Sequence, residues 1–302
     1  MRKLLLCLAM ASASLPGIAT ADEAPERWGP TLIGGVPAKP EDWPASVYAR
    51  ANGSACSATI VGKDVVLIAA HCVANGKDIT FSLLSANYTA KCTHHPKYRQ
   101  DSTADWALCK STRKIEGAVP EVVAQDGAWC AKDVEVTLTG YGCVRNGGGG
   151  GNDGVYRIGK STVVSCPTRD NDVVTKGGAA LCYGDSGGPA FLVNADGSRE
   201  VFGVNSRGNI STTSYLSSVT TKVARDWFAK WQTDNSTTIC GFPGSGPCRG
   251  GSNPGPDPDP QPVPPDCDSQ LNAVMSANGA MGAANAQMHG AATALRSCLT
   301  GN

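Results

Sequence analysis

The stretch Tyr183-Gly184-Asp185-Ser186-Gly187-Gly188-Pro189 sets a serine between an acid and a pair of glycines. Glycine inside a strand or helix costs backbone entropy, so this run suits a sharp turn or a close approach of backbone to a ligand. Such a turn exposes the Ser186 hydroxyl and aims the backbone N–H groups of Gly184 and Ser186 into one small concavity. A nucleophile beside two such donors is what acyl transfer requires, because the donors meet the oxyanion that develops. Taken alone, the stretch is an ordinary Gly-Ser turn. The chemistry also needs a base, an acid to orient it, and a scaffold.

Two residues upstream can supply the base and the acid. His71 ends the apolar run 65–70 and is followed by Cys72. A lone histidine is usually structural or merely exposed. Here a Cys56–Cys72 disulfide would tie the start of one strand to the exit of the next and fix His71 in place. Asp105 opens Asp105-Trp106-Ala107-Leu108-Cys109. On its own it is a turn acid before a strand. Burying it is costly without a partner, and a histidine would be one. A Cys92–Cys109 disulfide would bring the strand near Cys92 against the one near Cys109.

The residues between these points read as short strands and turns. Residues 43–49 form an apolar strand, and residues 56–61 and 65–70 a hairpin through Gly62-Lys63-Asp64. Residues 81–83, 88–90, 156–158, 161–164, 190–193 and 201–204 add strands, and residues 134–139 alternate with period two before Gly140-Tyr141-Gly142. Gly147 to Gly151 form a flexible loop of consecutive glycines. Val223, Trp227, Phe228 and Trp231 fall at helical spacing, so an amphipathic helix follows. The body is expected to be all-β and turn-rich.

Lys plus Arg and Asp plus Glu both number 26 in the 302 residues, with no block of like charges. This argues against a nucleic-acid partner held through phosphate charge. Residues 1–21 read as a secretory signal: basic Met1-Arg2-Lys3, an apolar stretch beginning at Leu4, and the Ala19-Thr20-Ala21 cleavage site. That apolar run is too short to span a bilayer and no later one approaches the needed length, so no transmembrane anchor is expected. Cys7 leaves with the signal. The remaining cysteines are even in number and sit in an oxidising, extracellular setting where disulfides are the default. A metal is not expected, since no C-x-x-C occurs and there are only four histidines. No cofactor is indicated.

Residues 22–31 read as a short pro-segment before Leu32-Ile33-Gly34-Gly35, or as the entry to a strand. Residues 249–266 repeat proline with aspartate and form a linker, extended at about 3.1 Å per residue where proline dominates. Residues 267–302 are Ala-rich, with Leu271, Val274, Met281, Met288 and Leu295 at heptad-like spacing. A small α-helical hairpin clamped by Cys267–Cys298 is expected, because a bond there needs the ends to meet. It carries no catalytic constellation. Binding to a surface or another protein, a part in secretion, and trimming all stay open for it.

The contexts Ala69-Ala70-His71-Cys72, Asp105-Trp106-Ala107-Leu108 and Gly184-Asp185-Ser186-Gly187-Gly188-Pro189 stand in that order, with Leu32-Ile33-Gly34-Gly35, Gly140-Tyr141-Gly142 and the terminal helix around them. Over roughly residues 32–231 the chain resembles the secreted trypsin/chymotrypsin-like serine proteases. The resemblance implies two six-stranded antiparallel β-barrels and a C-terminal helix within residues 32–248, with the site in the cleft between the barrels. It implies Ser186 as nucleophile, His71 as base, Asp105 as the orienting acid, and Gly184 and Ser186 N–H groups as oxyanion hole. It implies a latch in which a freed Leu32 amine pairs with Asp185. Thr31 precedes that cut where the family has Arg or Lys.

The same resemblance places Ala180 at the base of the primary pocket, with Leu181, Ser206, Gly208 and Ser218 as walls and Tyr183 and Arg207 near the rim. With no acid at Ala180, a buried substrate cation would go unpaired. An apolar preference follows, chymotrypsin- or elastase-like, with Leu181 narrowing the slot. Cys182 lacks the family's partner between itself and Cys240, which leaves Cys166 as a candidate partner and the pairing of Cys130, Cys143, Cys240 and Cys248 open. Protein or peptide substrates are therefore expected. The competing readings are a non-catalytic homologue that binds a partner through the same cleft, and an ester hydrolase. The α/β-hydrolase order of Ser, acid, His disfavours the second.

Overall fold

The computed structural model describes residues 32–51, 53–194, 197–245 and 248. The expected signal, pro-segment, linker and Cys267–Cys298 hairpin lie outside these residues. In chain order the strands are β1 (Val36–Pro37), β2 (Ser46–Ala51), β3 (Ser54–Ile60), β4 (Val65–Ile68), β5 (Asp78–Leu83), β6 (Ala86–His94), β7 (Ala107–Ser111), β8 (Val122–Val123), β9 (Glu135–Gly140), β10 (Arg157–Ser165), β11 (Asp172–Gly178), β12 (Pro189–Val193), β13 (Arg199–Gly208) and β14 (Thr213–Ser218). Helix α1 (Lys222–Asp234) follows.

Two closed six-stranded antiparallel barrels result. The first runs β2-β3-β4-β7-β6-β5. The second runs β10-β11-β14-β13-β12-β9 and closes where β9 pairs β10. Strand β1 adds antiparallel to β10, and β8 adds parallel to β13. The side-chain period of two decides which residues enter the barrel. In β5, Ile79 and Phe81 are buried while Asp78, Thr80 and Ser82 are exposed. Strand β4 is buried throughout, one face in its own barrel and the other toward the second. Residues 156–164, read from sequence as two strands, form one, because β9 pairs β10 without a break from Arg157↔Gly140 to Thr162↔Glu135.

Helix α1 starts at Thr221, whose hydroxyl accepts the Ala224 N–H at 3.3 Å. It buries Ala224, Phe228 and Trp231. Trp227 meets His95 edge-on at 5.1 Å, so the helix after the second barrel packs on the first.

The Cys56–Cys72 and Cys92–Cys109 disulfides are formed. The Cys166–Cys182 pairing is not: Cys166 joins Cys130 and Cys182 joins Cys143. The β9–β10 hairpin explains this. Cys130 before β9 and Cys166 after β10 share one end of it, whereas Cys143 follows β9 at the other end and donates its N–H to Tyr183 O at 2.8 Å. Cys240 pairs with Cys248.

A buried ion pair ties the entry of β2 to β13. Arg199 Nη2 lies 2.5 Å from Glu121 Oε1, and both side chains are buried. The same nitrogen donates to Asp42 O at 2.9 Å, and the guanidinium covers the Trp43 ring at 3.7 Å. Removing one partner strands a buried charge. Glu121→Ala is expected to lower the unfolding free energy by about 3–5 kcal/mol, measured by urea denaturation; a loss under about 1 kcal/mol would mean that the pair behaves as a surface one.

Candidate active site

His71 sits in a single 3-10 turn, Ala70–Cys72, directly after β4. Asp105 precedes β7 and is buried. Since β4 and β7 are neighbours, with Ile68 opposite Ala107, the two residues leave adjacent strand ends. Asp105 Oδ2 lies 2.7 Å from His71 Nδ1, and Oδ1 accepts the His71 backbone N–H at 2.9 Å. A carboxylate only accepts, so Nδ1 carries the hydrogen and the Nε2 lone pair stays available. The Ser206 hydroxyl of β13 donates to the same Oδ2 at 2.7 Å. Next along the chain, Trp106 is fully buried and its indole N–H donates to Ser217 O at 3.1 Å. Asp105 is thus fixed by donors from both barrels.

The Ser186 turn is pinned in the same way. Ser186 O accepts the Ser57 N–H of β3 at 2.9 Å, and Gly187 N–H donates to Asn205 O of β13 at 2.8 Å. The Ser57 hydroxyl donates to Gly184 O at 2.8 Å and accepts the Tyr141 N–H at 3.0 Å. Gly187 has φ +81°, and a Cβ there would lie 2.5 Å from Ser57 O, 2.6 Å from Ile68 Cγ1 and 3.0 Å from Ala69 N. Only glycine lets the turn press this closely on the strand that delivers His71. Ser186 is partly exposed. Among the described residues its hydroxyl forms no hydrogen bond with His71, whose Nε2 has the Cys72 sulfur at 3.8 Å. Catalytic hydrogen bonds are often loose before substrate arrives.

Comparison with known proteins gives the family. The trypsin family model matches residues 32–232. The chain belongs to the trypsin family. It is 30% identical over 251 residues to a trypsin-like protease of Streptomyces glaucescens, covering 74% of this chain and 87% of that one. It is 28% identical to chymotrypsin-like elastase family member 1 of Homo sapiens, over 58% of this chain and 80% of that one. A trypsin of Saccharopolyspora erythraea is 25% identical over 59% of this chain and 86% of its own.

The two latch residues lie close to one segment. Leu32 is fully buried and its nitrogen donates to Cys143 O at 3.1 Å. Asp185 instead accepts Gly142 N–H at Oδ1 and Cys182 N–H at Oδ2, each at 2.8 Å. In the intact sequence the Leu32 nitrogen is an uncharged peptide amide, and its one hydrogen is given to Cys143 O rather than to Asp185. The pairing expected from the family needs a chain cut before Leu32.

Three of the residues expected to wall a substrate pocket are placed otherwise than that expectation requires. Ala180 is buried and its N–H donates to Ile33 O at 2.9 Å. Leu181 is buried in the second-barrel core with Leu32, Phe202 and Leu216, so its side chain serves packing. Its N–H donates at 2.9 Å to Ser214 Oγ, a residue that sequence reasoning missed. Ser214 pairs with Gly208 across β13 and β14, which brings Gly208, Leu181 and Ala180 together. Ser206 turns away to Asp105. Ser218 lies four residues beyond Ser214, roughly 13 Å along the strand, where it bonds Thr220 Oγ1 at 2.9 Å. At the rim, Tyr183 is exposed, and Arg207 pairs with the buried Asp172. Burial pushes the Asp172 carboxyl up to about 6 against the pull of Arg207.

Burial also pushes the Asp185 carboxyl up to about 7, with the two amide donors working against it. Between the ordinary aspartate value and about 7 the folded chain holds a proton that the unfolded chain has released. This contribution to stability is fully present below the ordinary value and is lost as pH rises through about 7. For the chain uncut before Leu32, urea unfolding at pH 5 and pH 8 should show a larger stability loss in wild type than in Asp185→Asn. Equal losses would show that Asp185 does not titrate in this window.

Proposed function

We propose that the chain is a secreted serine endopeptidase acting through an acyl-enzyme at Ser186. The observation that carries this reading is the 2.7 Å contact of His71 Nδ1 with Asp105 Oδ2, which leaves Nε2 as a base beside the pinned Ser186 turn. Ser186 Oγ attacks the carbonyl carbon and its proton passes to Nε2. The oxyanion meets the Gly184 and Ser186 N–H groups. The C–N bond then breaks as His71 returns the proton to the leaving amine, and water hydrolyses the ester by the reverse use of His71. The five disulfides among the described residues and the family support secretion.

The pocket supports an apolar residue on the acyl side of the cut bond. Ala180 and Ser214 offer no charge, so a lysine or arginine side chain would be buried unpaired.

An active-site phosphonate should label Ser186, and Ser186→Ala should abolish labelling. Asp105→Asn should keep the fold and lower kcat by about 10⁴-fold, because the imidazole then takes the wrong tautomer. If chain freed before Leu32 takes up no probe, the protein is a binding homologue instead. In a peptide-library digest, apolar residues should exceed Lys and Arg by about 100-fold in kcat/KM; a Lys or Arg preference would sink the pocket assignment.

A further inference from the structure

The donors that hold Asp185 come from two separate segments, and one covalent bond joins those segments. Gly142 and Cys182 supply the two amides. Cys143, next to the first, is bonded to Cys182, with their Cα atoms 5.2 Å apart. Around the bridge, Cys143 N–H donates to Tyr183 O at 2.8 Å and Asn152 N–H to Gly142 O at 3.2 Å. A Cβ on Gly184 would lie 2.9 Å from Gly142 Cα, so the oxyanion segment rests directly on residue 142. Gly188 N–H in turn donates to Asp185 O at 3.0 Å, which ties the far side of the serine turn to the same residue.

We propose that the Cys143–Cys182 bridge is a positioning element for the Ser186 site. It keeps the Gly142 and Cys182 amides on the Asp185 carboxyl, and so holds the Gly184–Ser186 turn in shape before a freed Leu32 amine supplies any charge. The physical need is plain. A buried carboxyl without donors is strongly disfavoured, and two amides on separate loops stay in place only if the loops do. The bridge removes the freedom of one loop relative to the other. The Leu32 N–H on Cys143 O anchors the same half-cystine to the start of the domain. The second bridge of this barrel, Cys130–Cys166, lies at the opposite end of the β9–β10 hairpin and touches none of these groups. This role rests on the protease reading for its effect on catalysis, but its effect on the turn does not.

The test compares wild type, Cys143→Ser/Cys182→Ser and the control Cys130→Ser/Cys166→Ser, each uncut for hydrogen exchange and freed before Leu32 for labelling and kinetics. Hydrogen exchange should be at least about tenfold faster over residues 141–143 and 181–187 in the first variant alone. Its phosphonate-labelling rate and kcat should fall at least about tenfold with KM within about threefold, the pattern of a lost transition-state contact. The control should keep both near wild type even where its melting temperature drops. Wild-type exchange and labelling in the first variant, or equal changes in both variants, would overturn the proposal. Should the first variant not fold, graded reduction of wild type with alkylation mapping replaces it. Loss of labelling must then track alkylation of Cys143 and Cys182, and loss tracking another bridge overturns the idea. A wild type freed before Leu32 that takes up no probe refutes the protease reading, while the exchange comparison still decides the role of the bridge.

Discussion

A carboxyl buried between two barrels has to find its donors at the seam, and Asp105 takes them from both sides. His71 gives two and Ser206 of the second barrel gives the third. This one requirement orders much of the rest. It fixes the imidazole ring by both its backbone and its Nδ1. It sets β13 against the end of β4 and β7. It also explains why Trp106, the next residue, crosses the seam to Ser217 O. Asp185 repeats the constraint on the other side of Ser186, this time with backbone amides. Both buried acids hold segments that frame the serine turn, and neither can move without losing donors.

His71, Asp105 and Ser186 stood out in the sequence because each sits beside a local constraint. His71 stands at a strand end next to a half-cystine, Asp105 opens an apolar strand, and Ser186 is enclosed by glycines. The all-β, turn-rich body was legible for the same reason, because period-two runs and turn residues are local signals; the division into two barrels came from the resemblance to a family. The helix and the Cys56–Cys72 and Cys92–Cys109 bridges followed from neighbours in sequence or in strand order.

What was not legible depended on register. Strand β13 carries an irregularity between Asn205 and Arg207, which breaks simple alternation there. Ser206 therefore faces Asp105, and the hydroxyl beside Ala180 and Leu181 comes from Ser214 across the strand pair. Ser218 shares a face with Ser214 but is too far along to reach the pocket. The Cys182 partner was hidden for a related reason. Cys143 and Cys166 are both separated from it by strands, and only the closure of β9 on β10 and β12 decides which is near.

The glycine run 147–151 has a consequence for the segments around Tyr183 and Ile210. Its ends are held at the Cys143 bridge and by Asn152 N–H on Gly142 O, while Gly147 N–H reaches across to Ile210 O at 3.0 Å. Tyr183 packs against Gly148, where a Cβ would lie 2.6 Å from the ring. The loop therefore touches both the Tyr183 and the Ile210 segments through backbone alone. Doubling the length of such a flexible closed segment costs only about 0.6 kcal/mol. The separation these segments allow the loop is thus a quantity set by residue count, and it can drift over generations without disturbing His71, Asp105 or Ser186.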